Sequence, residues 1–546
     1  MALMWLALLA LAGWSADASA VPPSLLHKVL HTELNAHLQK LGEMSDRSDS
    51  LERTFMSPAH KQSADRILWW MKDAGMEAWV DVVGNVHGRI TGSDASLPAL
   101  FFGSHYDTVK DAGKFDGPLG VLAAIAGVKM AVMEALHARG DLPSPPQPSD
   151  DYQLRNVPPG LLQRTVRVVA FSDEEGVRFQ STFLGSRALA GTLSKYGMLK
   201  TKDEQGLSLA SVLEQESKLG GLSVEDAVAA AAVPAHEIAE YVEVHMEQGP
   251  VLEARGLPLG VVSAIAGQTR LWVIINGTQG HAGTVPMRGR TDAVAAAAAV
   301  VSLVERRCGG GPGGGTDGVV LSDEADMLVC TVGDLRVWPG ASNVIAGGTQ
   351  LSVDIRAKSD NLRHSVVANV TASVNDLCAQ RGVSCEIQRK HDAEAVMCDD
   401  GVVETLRRAV VGARAVMAAM MTHSGGGSGG AGCGCGGGSK GSGSGEAERV
   451  GAKPGACSGG HGHGHGHEHA CENPCTCGGG ATAANAPVMV SGAGHDAMAL
   501  AEVSKMGMLF VRCRGGVSHH PSEHVEPDDV AASAAALYKY ILERAG

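Results

Sequence analysis

The sequence predicts an α/β fold, in which a mainly parallel sheet carries a smaller inserted α+β domain. Three apolar stretches of strand length, LPALFFGSHYD, RTVRVVAFSDEEG and YVEVHMEQG, each run directly into polar residues. A long stretch with apolar residues at helical spacing separates the first two, as expected for parallel strands joined by helices. Further along, apolar and polar residues alternate, which indicates antiparallel strands with one exposed face.

The first twenty residues, MALMWLALLALAGWSADASA, have the pattern of a secretory signal peptide. An apolar run is followed by small residues that end in Ala18-Ser19-Ala20, which fits the cleavage site of such peptides. The run is shorter than the ~20 apolar residues that cross a bilayer, so no membrane span is expected here, and none later in the chain. Two sequons, at Asn276 and Asn369, are compatible with a secretory route.

Residues 21–265 are predicted to form the first part of the larger domain. LPALFFGSHYD is its first buried strand, and DGPLGVLAAIAGVKMAVMEAL begins with a turn, has Pro118 near the first helical turn and continues as a helix. RTVRVVAFSDEEG and YVEVHMEQG follow as buried strands. In such sheets ligands lie beyond the carboxyl ends of the strands, where the polar residues of all three stretches stand.

Residues 266–372 are predicted to form the smaller inserted domain. TRLWVIING, MLVCTVGDLRV and TQLSVDIRAKS alternate as antiparallel strands do, and TDAVAAAAAVVSLVERR reads as a small-residue helix. Residues 373–546 then complete the larger domain.

Three segments have the composition of inserts. Residues 141–160 are proline-rich, residues 308–317 are nearly all glycine, and residues 423–485 are rich in glycine, serine, histidine and cysteine. None has an apolar periodicity, so each is expected to be a loop, and the last to be disordered. Its stretch HGHGHGHEHACENPCTC can bind metal ions loosely, but it lacks the rigid support that a catalytic centre needs.

The twelve cysteines fall into two sets. Half of them crowd into the last insert, and the other half are dispersed over the second half of the chain. The dispersed set shows no spacing typical of a disulfide scaffold.

The composition argues against a nucleic-acid partner. Acidic residues outnumber basic ones by 59 to 45, and the formal net charge is −14. Binding of nucleic acid needs a basic surface, because its phosphates are negatively charged.

Histidines and acids cluster at the predicted strand ends. In chain order they are His105, Asp107, Asp116, Glu174, Glu175, His245 and, near the C-terminus, His519. Imidazole and carboxylate groups suit zinc, manganese or iron, and one carboxylate can bridge two ions. Next to apolar strands such groups are costly unless they are paired or bind metal, so their joint position predicts a metal centre.

Seven segments together resemble the dinuclear-metal amidohydrolases that cleave ureido groups, a family of the aminoacylase/carboxypeptidase superfamily. They are GSHYDTVKDAGKFDGPLG, FSDEEGVRFQSTFLGSRALAG, VEVHMEQGPVLE, GTQGHAGTVPMRGRTDA, ASNVIAGGTQLSVDIR, SGAGHDAMA and FVRCRGGVSHHPSEHV. The resemblance covers most of the chain and breaks at the three inserts. Within the family, DTVKDAGKFDG and AFSDEEGVRFQSTFLGS resemble the plant enzymes that hydrolyse allantoate rather than those that cleave ureidoglycolate.

The resemblance implies two divalent metal ions per subunit. His105, Asp116 and His245 would hold one ion, and Asp116, Glu175 and His519 the other, with Asp116 as the bridge. Manganese is the family's usual metal for this activity, although zinc accepts the same ligands.

His519 has an adjacent competitor for the role of ligand. His520 follows it directly, but His519 stands in the family's S-H-x-P-x-E register. His520 fills the x position, where the side chain would face away.

The resemblance also implies catalytic roles. Asp107 would orient His105, and Glu174 would be the general base that takes a proton from the attacking water and returns it to the leaving amine. His281, in GHAGT, resembles the histidine that reaches the reacting carbonyl from the small domain, and in family dimers from the partner subunit.

Substrate binding is implied for residues of both domains. Asn343 and Arg356 resemble the pair that holds the substrate carboxylate, for which the planar guanidinium of arginine is suited. Gln248, Gly494 and His495 are expected to line the pocket. The small domain would act as a lid and in formation of a homodimer, and plant relatives reside in the endoplasmic reticulum.

The expected function is metal-dependent hydrolysis of a ureido group of allantoate in purine catabolism, which gives ureidoglycine, ammonia and carbon dioxide. An N-carbamoyl-L-amino-acid or ureidoglycolate amidohydrolase remains an alternative, because Asn343 and Arg356 serve any ureido acid. A metal-binding or metal-storage protein that acts through residues 433–477 is an alternative of another class. A dipeptidase is less compatible with HMEQGP and GHAGTVPM.

Overall fold

The computed structural model describes residues 21–142, 153–154, 157–309, 327–424 and 486–546. In this part of the chain a nine-stranded sheet, a five-stranded sheet and a short two-stranded pair belong to one compact unit. The α/β class predicted from the sequence is confirmed. The expected signal peptide, residues 1–20, lies outside the described residues.

The elements are numbered in chain order. The strands are β1 (Glu77–Val80), β2 (Val86–Ile90), β3 (Ala99–His105), β4 (Val166–Phe171), β5 (Ile238–Met246), β6 (Leu259–Ile265), β7 (Gly267–Asn276), β8 (Gly280–His281), β9 (Leu328–Thr331), β10 (Leu335–Trp338), β11 (Val344–Ile345), β12 (Gly348–Ala357), β13 (Ser384–Ala393), β14 (Val396–Met397), β15 (Val488–Ser491) and β16 (Lys505–Val511). The α-helices are α1 (Pro23–His27), α2 (Leu34–Gly42), α3 (Pro58–Asp73), α4 (Pro118–Arg139), α5 (Leu184–Leu189), α6 (Leu209–Glu216), α7 (Val224–Ala231), α8 (Val251–Arg255), α9 (Ala293–Arg307), α10 (Asp360–Arg381), α11 (Asp400–Ser424), α12 (Asp496–Leu500) and α13 (Pro527–Ala545). A π-helical turn, Lys28–Glu33, joins α1 to α2.

The large sheet has the strand order β1-β2-β4-β3-β5-β16-β6-β14, with β15 paired to β6. The central strands β4, β3, β5 and β16 are parallel to one another, whereas β2 pairs antiparallel with β4 and β6 pairs antiparallel with β16. Successive residues of β3 belong to different core clusters, with Phe102 in one and Phe101 in the other. Both faces of the sheet are therefore covered, which is why its strands are apolar at nearly every position.

Helix α4 packs on this sheet and contacts β3, β5 and α13. It begins with Pro118, where a missing N–H costs nothing, and ends at Gly140 in the left-handed conformation. Among the described residues it is the one helix long and apolar enough to cross a membrane, but 89% of that apolar window is buried inside the protein. Its composition is therefore explained by its place in the core.

A buried ion network crosses the core beneath the N-terminal helices. Lys129 of α4 donates to Glu33 and to Asp73, both at 2.8 Å. All three side chains are buried, and mutual pairing offsets the cost of removing their charges from water.

The small sheet is antiparallel, with the order β10-β12-β7-β13 and β9 paired to β12. Alternate residues of β12 are buried against α9 and α10, as the alternating sequence predicted. The expected end of this domain, residue 372, falls inside α10, and β13 pairs with β7 along its length. The small sheet with its helices therefore extends to Ala393. The next strand, β14, already belongs to the large sheet, where it pairs with β6.

Two disulfides lie in the small sheet and its helices. Cys308 at the end of α9 bonds to Cys330 in β9, and Cys378 of α10 bonds to Cys385 in β13. The sequence spacing gave no sign of these pairs, because each joins a helix to a strand that meets it only in the fold.

The described residues of the proline-rich insert form no helix or strand, and some of them pack on the rest of the protein. Leu154 is buried and its N–H donates to the carbonyl of Asp73, and the N–H of Gly160 donates to that of Thr91. These backbone bonds hold the end of the segment on the large-sheet body. Residues 310–326 and 425–485, which contain most of the other two inserts, lie outside the described residues.

Candidate dinuclear metal centre

Parallel pairing brings the predicted acids and histidines to one edge of the large sheet. His105 ends β3, and His245 lies near the end of β5, which pairs with β3. Glu174 and Glu175 follow β4, the other neighbour of β3. Because the carboxyl ends of parallel strands meet at one edge, residues far apart in the sequence converge there.

Two groups of three ligand-type side chains share Asp116. His105, Asp116 and His245 place ligand atoms within 4.8 Å of one another, and so do Asp116, Glu175 and His519. Oδ1 of Asp116 lies 3.1 Å from Nε2 of His245, and Oδ2 lies 3.0 Å from Nε2 of His519. One carboxylate thus faces both groups, as a ligand that bridges two ions must.

Contacts of Nδ1 orient the rings of two of these histidines. Nδ1 of His245 lies 2.9 Å from the carbonyl of Met246, and Nδ1 of His105 lies 3.2 Å from Oδ1 of Asp107. Each contact accounts for Nδ1 and leaves Nε2 directed at the shared centre, which is the usual way of orienting a metal-binding imidazole.

The charges of the centre compensate one another. Hydrogen bonds that His519 donates to Asp116 and Glu175 raise its pKa to about 10. Burial would raise the pKa of Asp116, but hydrogen bonds from His245 and His519 hold it well below its ordinary value. Divalent cations supply the same compensation to clustered carboxylates, and the nitrogen and oxygen donors suit manganese or zinc. The residues therefore fit two such ions.

A tight turn positions Asp116. The next residue, Gly117, has φ +80°, and a Cβ there would lie 2.5 Å from the His105 ring. Oε1 of Glu523 accepts hydrogen bonds from the N–H groups of Phe115 and Asp116, at 2.8 and 3.0 Å. The turn thus depends on glycine at position 117, because this backbone geometry has no room for a side chain there. A carboxylate from the C-terminal segment also holds it.

Asp107 holds more than the histidine it was expected to orient. Its Oδ1 accepts from the N–H of Glu174 at 3.0 Å, and its Oδ2 accepts from the N–H of Glu175 at 3.2 Å. One buried carboxylate therefore sets the position of His105 and of the loop that carries both glutamates.

Glu174 is the buried carboxyl beside the ligands. It groups with His105 and Glu175, and burial, followed by the repulsion of neighbouring acids, raises its pKa well above the ordinary value. A carboxyl with a raised pKa can take up a proton and return it near neutral pH. The geometry therefore suits the role of general base.

Gln248 contacts the ligand cluster itself. Its Nε2 lies 3.2 Å from both carboxylate oxygens of Asp116 and 3.0 Å from Oγ of Ser518, which donates to Oδ2 of Asp116 at 3.0 Å. Gln248 and His519 both have φ of +56°, a strained conformation for residues other than glycine. Such strain is characteristic of functional sites, where surrounding contacts hold it in place.

The segment Gly492–His495 closes one side of the centre. The buried ring of His495 packs at 4.5 Å on that of His245, and its Nε2 lies 2.7 Å from Oγ of Ser491. A Cβ at Gly494 would lie 2.8 Å from the Phe183 ring. Arg356 of β12 donates from Nη1 to the carbonyl of Gly492 at 2.6 Å, so the small sheet touches this segment.

His281 and Asn343 lie together on the two-stranded pair β8 and β11. Val344 pairs with His281, and the N–H of Ala282 donates to the carbonyl of Asn343 at 2.9 Å. Both residues are exposed. Within the described ranges no hydrogen bond or ion pair joins either of them to the metal ligands.

The site contains residues that the sequence reading did not single out. Ser518 and Glu523 support Asp116, and both stand in the S-H-x-P-x-E register that identified His519, so the motif itself could have indicated them. Asp354 contacts Arg356 from two positions earlier on β12, on the same face of the strand. Residues two positions apart on a strand point to the same face, so the spacing of Asp354 and Arg356 could have indicated their contact.

Known proteins resemble this chain along most of its length. A family model described as peptidase family M20/M25/M40 matches residues 154–432. Allantoate deiminase 1 of Glycine max is 40% identical over 523 residues, which cover 95% of this chain and 90% of that protein. N-carbamoyl-L-amino-acid amidohydrolase of Pseudomonas sp. (strain NS671) is 29% identical over 513 residues, with coverages of 93% and 97%. The crystal structure of AtUAH in complex with glyoxylate superposes with a TM-score of 0.60 at 26% identity, and covers 94% of this chain and 97% of that one.

Proposed function

The chain belongs to the M20/M25/M40 peptidase family, and from this premise we propose that it is a metal-dependent hydrolase of allantoate, active in ureide catabolism. It would hydrolyse one ureido group and give ureidoglycine, ammonia and carbon dioxide. The observation that carries the proposal is the pair of ligand triads that share Asp116, with Glu174 beside them. The relatives named for allantoate, at 40% identity over nearly the whole chain, supply the substrate.

Two divalent cations would be held by the two triads, where they would polarise the ureido carbonyl and lower the pKa of water. Manganese is proposed as the metal, on the mixed histidine and carboxylate donors and on the family resemblance.

Glu174 would move the proton. Its buried carboxylate takes a proton from the attacking water and returns it to the nitrogen that leaves as the carbon–nitrogen bond breaks. Asp107 holds the backbone of Glu174 by a hydrogen bond, which fixes the direction in which this carboxylate points. The raised pKa of Glu174 favours the uptake of this proton.

The small sheet would orient the substrate. Arg356, which borders a cavity of about 470 Å³ between the small sheet and Gly492, would bind the substrate carboxylate. Closure of the small sheet over the substrate would exclude water and bring Asn343 to the same carboxylate.

A homodimer is proposed on the position of His281. This residue is exposed, and the large apolar residues Met287 and Trp338 of the same sheet-and-helix region are 79% and 73% exposed. A second copy of the chain that packs over His281 would let this residue reach the other subunit's centre.

A secretory route, with residence in the endoplasmic reticulum, is proposed on three features. The signal-like leader is one, and the two disulfides, which persist in oxidising compartments, are another. The third is that both sequon asparagines, Asn276 and Asn369, are exposed.

The test of the activity is a side-by-side assay of the manganese-loaded protein on allantoate, ureidoglycolate and an N-carbamoyl-L-amino acid, with ammonia release as the readout. Allantoate should give the highest kcat/KM. A higher value with the N-carbamoyl-L-amino acid would favour the alternative represented by the 29% identical Pseudomonas relative.

The alternative of a metal-binding protein is tested by removal of the histidine-rich insert. Replacement of residues 423–485 by a short Gly/Ser linker should leave hydrolysis and two tightly bound metal ions per subunit, because all five proposed ligands lie outside it. Loss of hydrolysis in a folded deletion variant would favour a role for the insert in the activity.

A further inference from the structure

We propose that Asp354 is a positioning residue for substrate binding, which acts through Arg356 and sets the direction of its guanidinium. The inference rests on the proposed function, in which Arg356 binds the carboxylate of a ureido acid. Asp354 itself would touch neither the substrate nor the metal ions.

The pairing of the two side chains is bidentate. Nε of Arg356 donates to Oδ1 of Asp354, and Nη2 donates to Oδ2, both at 3.0 Å. Nη1 donates to the carbonyl of Gly492 at 2.6 Å. These bonds account for three of the five N–H groups of the guanidinium and leave one on each terminal nitrogen, which is the pair that a carboxylate can take in bidentate fashion.

Asp354 is itself held in place. Its Oδ2 also accepts from Nε2 of Gln268 at 2.6 Å and from Nε of Arg270 at 3.1 Å. Gln268 lies opposite Arg356, and Arg270 opposite Asp354, in the register of β7 and β12. Four donors from two paired strands therefore fix this carboxylate, and through it the plane of the guanidinium.

The charge of Asp354 is stable in this setting. Burial alone would raise the pKa of its carboxyl, but hydrogen bonds from Arg356, Gln268 and Arg270 hold it below its ordinary value. Asp354 is thus ionised at neutral pH, and charge-assisted hydrogen bonds to such a carboxylate are the stronger class.

The location links the pair to the reaction. Side chains and backbone from the small sheet and from Gly492 line the cavity of about 470 Å³ that Arg356 borders. Besides the pair itself, the lining residues include Arg270, Trp272, Lys390 and Gly492. Gly492 begins the segment that ends in His495, which packs on His245. A small error in the direction of Arg356 would therefore displace a bound ureido acid relative to the metal centre.

The same contact has an opposite reading, in which Asp354 competes with the substrate for Arg356. The two readings predict opposite changes. If Asp354 positions Arg356, its removal raises KM, and if Asp354 competes, its removal lowers KM. The presence of Arg270 and Gln268 on Asp354 favours the first, because they share the negative charge that would otherwise oppose a substrate carboxylate.

The experiment compares Asp354→Ala, Asp354→Asn and the matched control Asp334→Ala. Asp334 also pairs with an arginine two positions later, Arg336, at 2.9 Å, but both of these side chains are exposed at the start of β10. We expect Asp354→Ala to raise KM at least about tenfold with kcat within about threefold of wild type, because Arg356 loses the bidentate carboxylate that directs it while the metal centre keeps its contacts. The KM of Asp354→Asn should lie between those of Asp354→Ala and wild type, since the amide oxygen still accepts a hydrogen bond. The KM and kcat of Asp334→Ala should match those of wild type.

Binding of glyoxylate to the manganese-loaded proteins, measured by calorimetry, gives a readout without turnover. Its Kd should rise in Asp354→Ala in parallel with KM, while Tm and metal content stay at wild-type values. In the Arg356→Ala background, addition of Asp354→Ala should raise KM and Kd little further, because the effect passes through Arg356.

An unchanged or lowered KM in Asp354→Ala overturns the proposal, and so does full additivity of the two substitutions. Failure of the proposed function gives a different result, in which the wild-type protein itself does not hydrolyse the ureido acids of the panel. Glyoxylate binding then still reports whether Asp354 acts on Arg356.

Discussion

At the scale of single residues, the centre is built from buried groups that stabilise one another's charge. Asp107 accepts hydrogen bonds from the backbone of both glutamates and orients His105, and Glu523 does the same for the backbone of Asp116. Residues that touch neither metal nor substrate thus determine where the reacting groups point.

The role of Glu174 is tested by Glu174→Gln. The amide keeps the size of the side chain and leaves the backbone hydrogen bond to Asp107 intact, but it cannot accept a proton, so kcat should fall by about 10²–10⁴-fold. Metal content, measured by elemental analysis, should remain at two ions per subunit, because the five proposed ligands are intact. Turnover at the wild-type rate would show that another group is the base.

A second prediction at this scale concerns His60. Burial lowers the pKa of this imidazole to about 4, and its Nε2 lies 2.7 Å from the carbonyl of Ser172. The unfolded imidazole has a pKa of ~6.5, so between these values the unfolded chain binds one more proton, and stability decreases as the pH falls from about 6.5 to about 4.

In His60→Gln, which keeps a donor for Ser172, this decrease should be shallower by at most about 1.4 kcal/mol per pH unit. The measurement is the free energy of unfolding from denaturant titrations at several pH values. His236→Gln, at an exposed position, serves as the control and should keep the wild-type slope. An unchanged slope in His60→Gln would contradict the assignment.

At the scale of elements, close contact between α4 and the large sheet sets the position of the turn that carries Asp116. A Cβ at Gly120 of α4 would lie 1.9 Å from the carbonyl oxygen of Val244 in β5. Only glycine therefore permits this approach. The helix cannot move away from β5 without moving Asp116, the metal ligand on its N-terminal side.

Gly120→Ala should accordingly destabilise the protein by about 1–3 kcal/mol, as overpacking of a rigid core does, and should weaken metal retention. Gly412→Ala is the matched control. Gly412 is also helical, in α11, but an added Cβ there meets the flexible side chain of Lys539 at 3.3 Å, so alanine should be neutral or stabilising. Thermal unfolding and dialysis against a chelator measure both effects. Equal losses in the two variants would argue against backbone contact as the cause.

At the scale of the whole molecule, the proposed homodimer would complete each metal centre with His281 of the other subunit. The exposed position of His281 and Asn343 on a strand pair of their own is the structural basis. Mixed assemblies of two inactive variants test this idea directly.

Co-expression of Glu174→Gln with His281→Ala should restore about a quarter of wild-type activity. Half of the dimers formed at random are mixed, and each mixed dimer has one complete site. Glu174→Gln with Asp116→Ala is the control and should restore none, because both changes lie in the centre built by one chain. Absence of recovery in the first pair, with dimers present by sedimentation, would place the action of His281 within one chain or outside the reaction.

Much of this architecture follows from the sequence alone. Buried apolar strands that end in histidines and acids predicted a parallel sheet with a metal centre at one edge, because the carboxyl ends of parallel strands must meet there. The structure brings His105, Asp116, Glu175, His245 and His519 together as the resemblance implied. It also turns His519 toward Asp116, while His520 bonds to Ser522 on the surface.

Other features were decided by the tertiary structure. They include the extension of the small sheet to β13, the disulfides Cys308–Cys330 and Cys378–Cys385, and the packing of Leu154. The fixing of Arg356 by Asp354, Gln268 and Arg270 is another. Each depends on which strand or helix lies beside which, and local patterns of hydrophobicity specify the type of an element but not its neighbour. The pairing is set by burial of the whole core at once, and therefore becomes visible only in the fold.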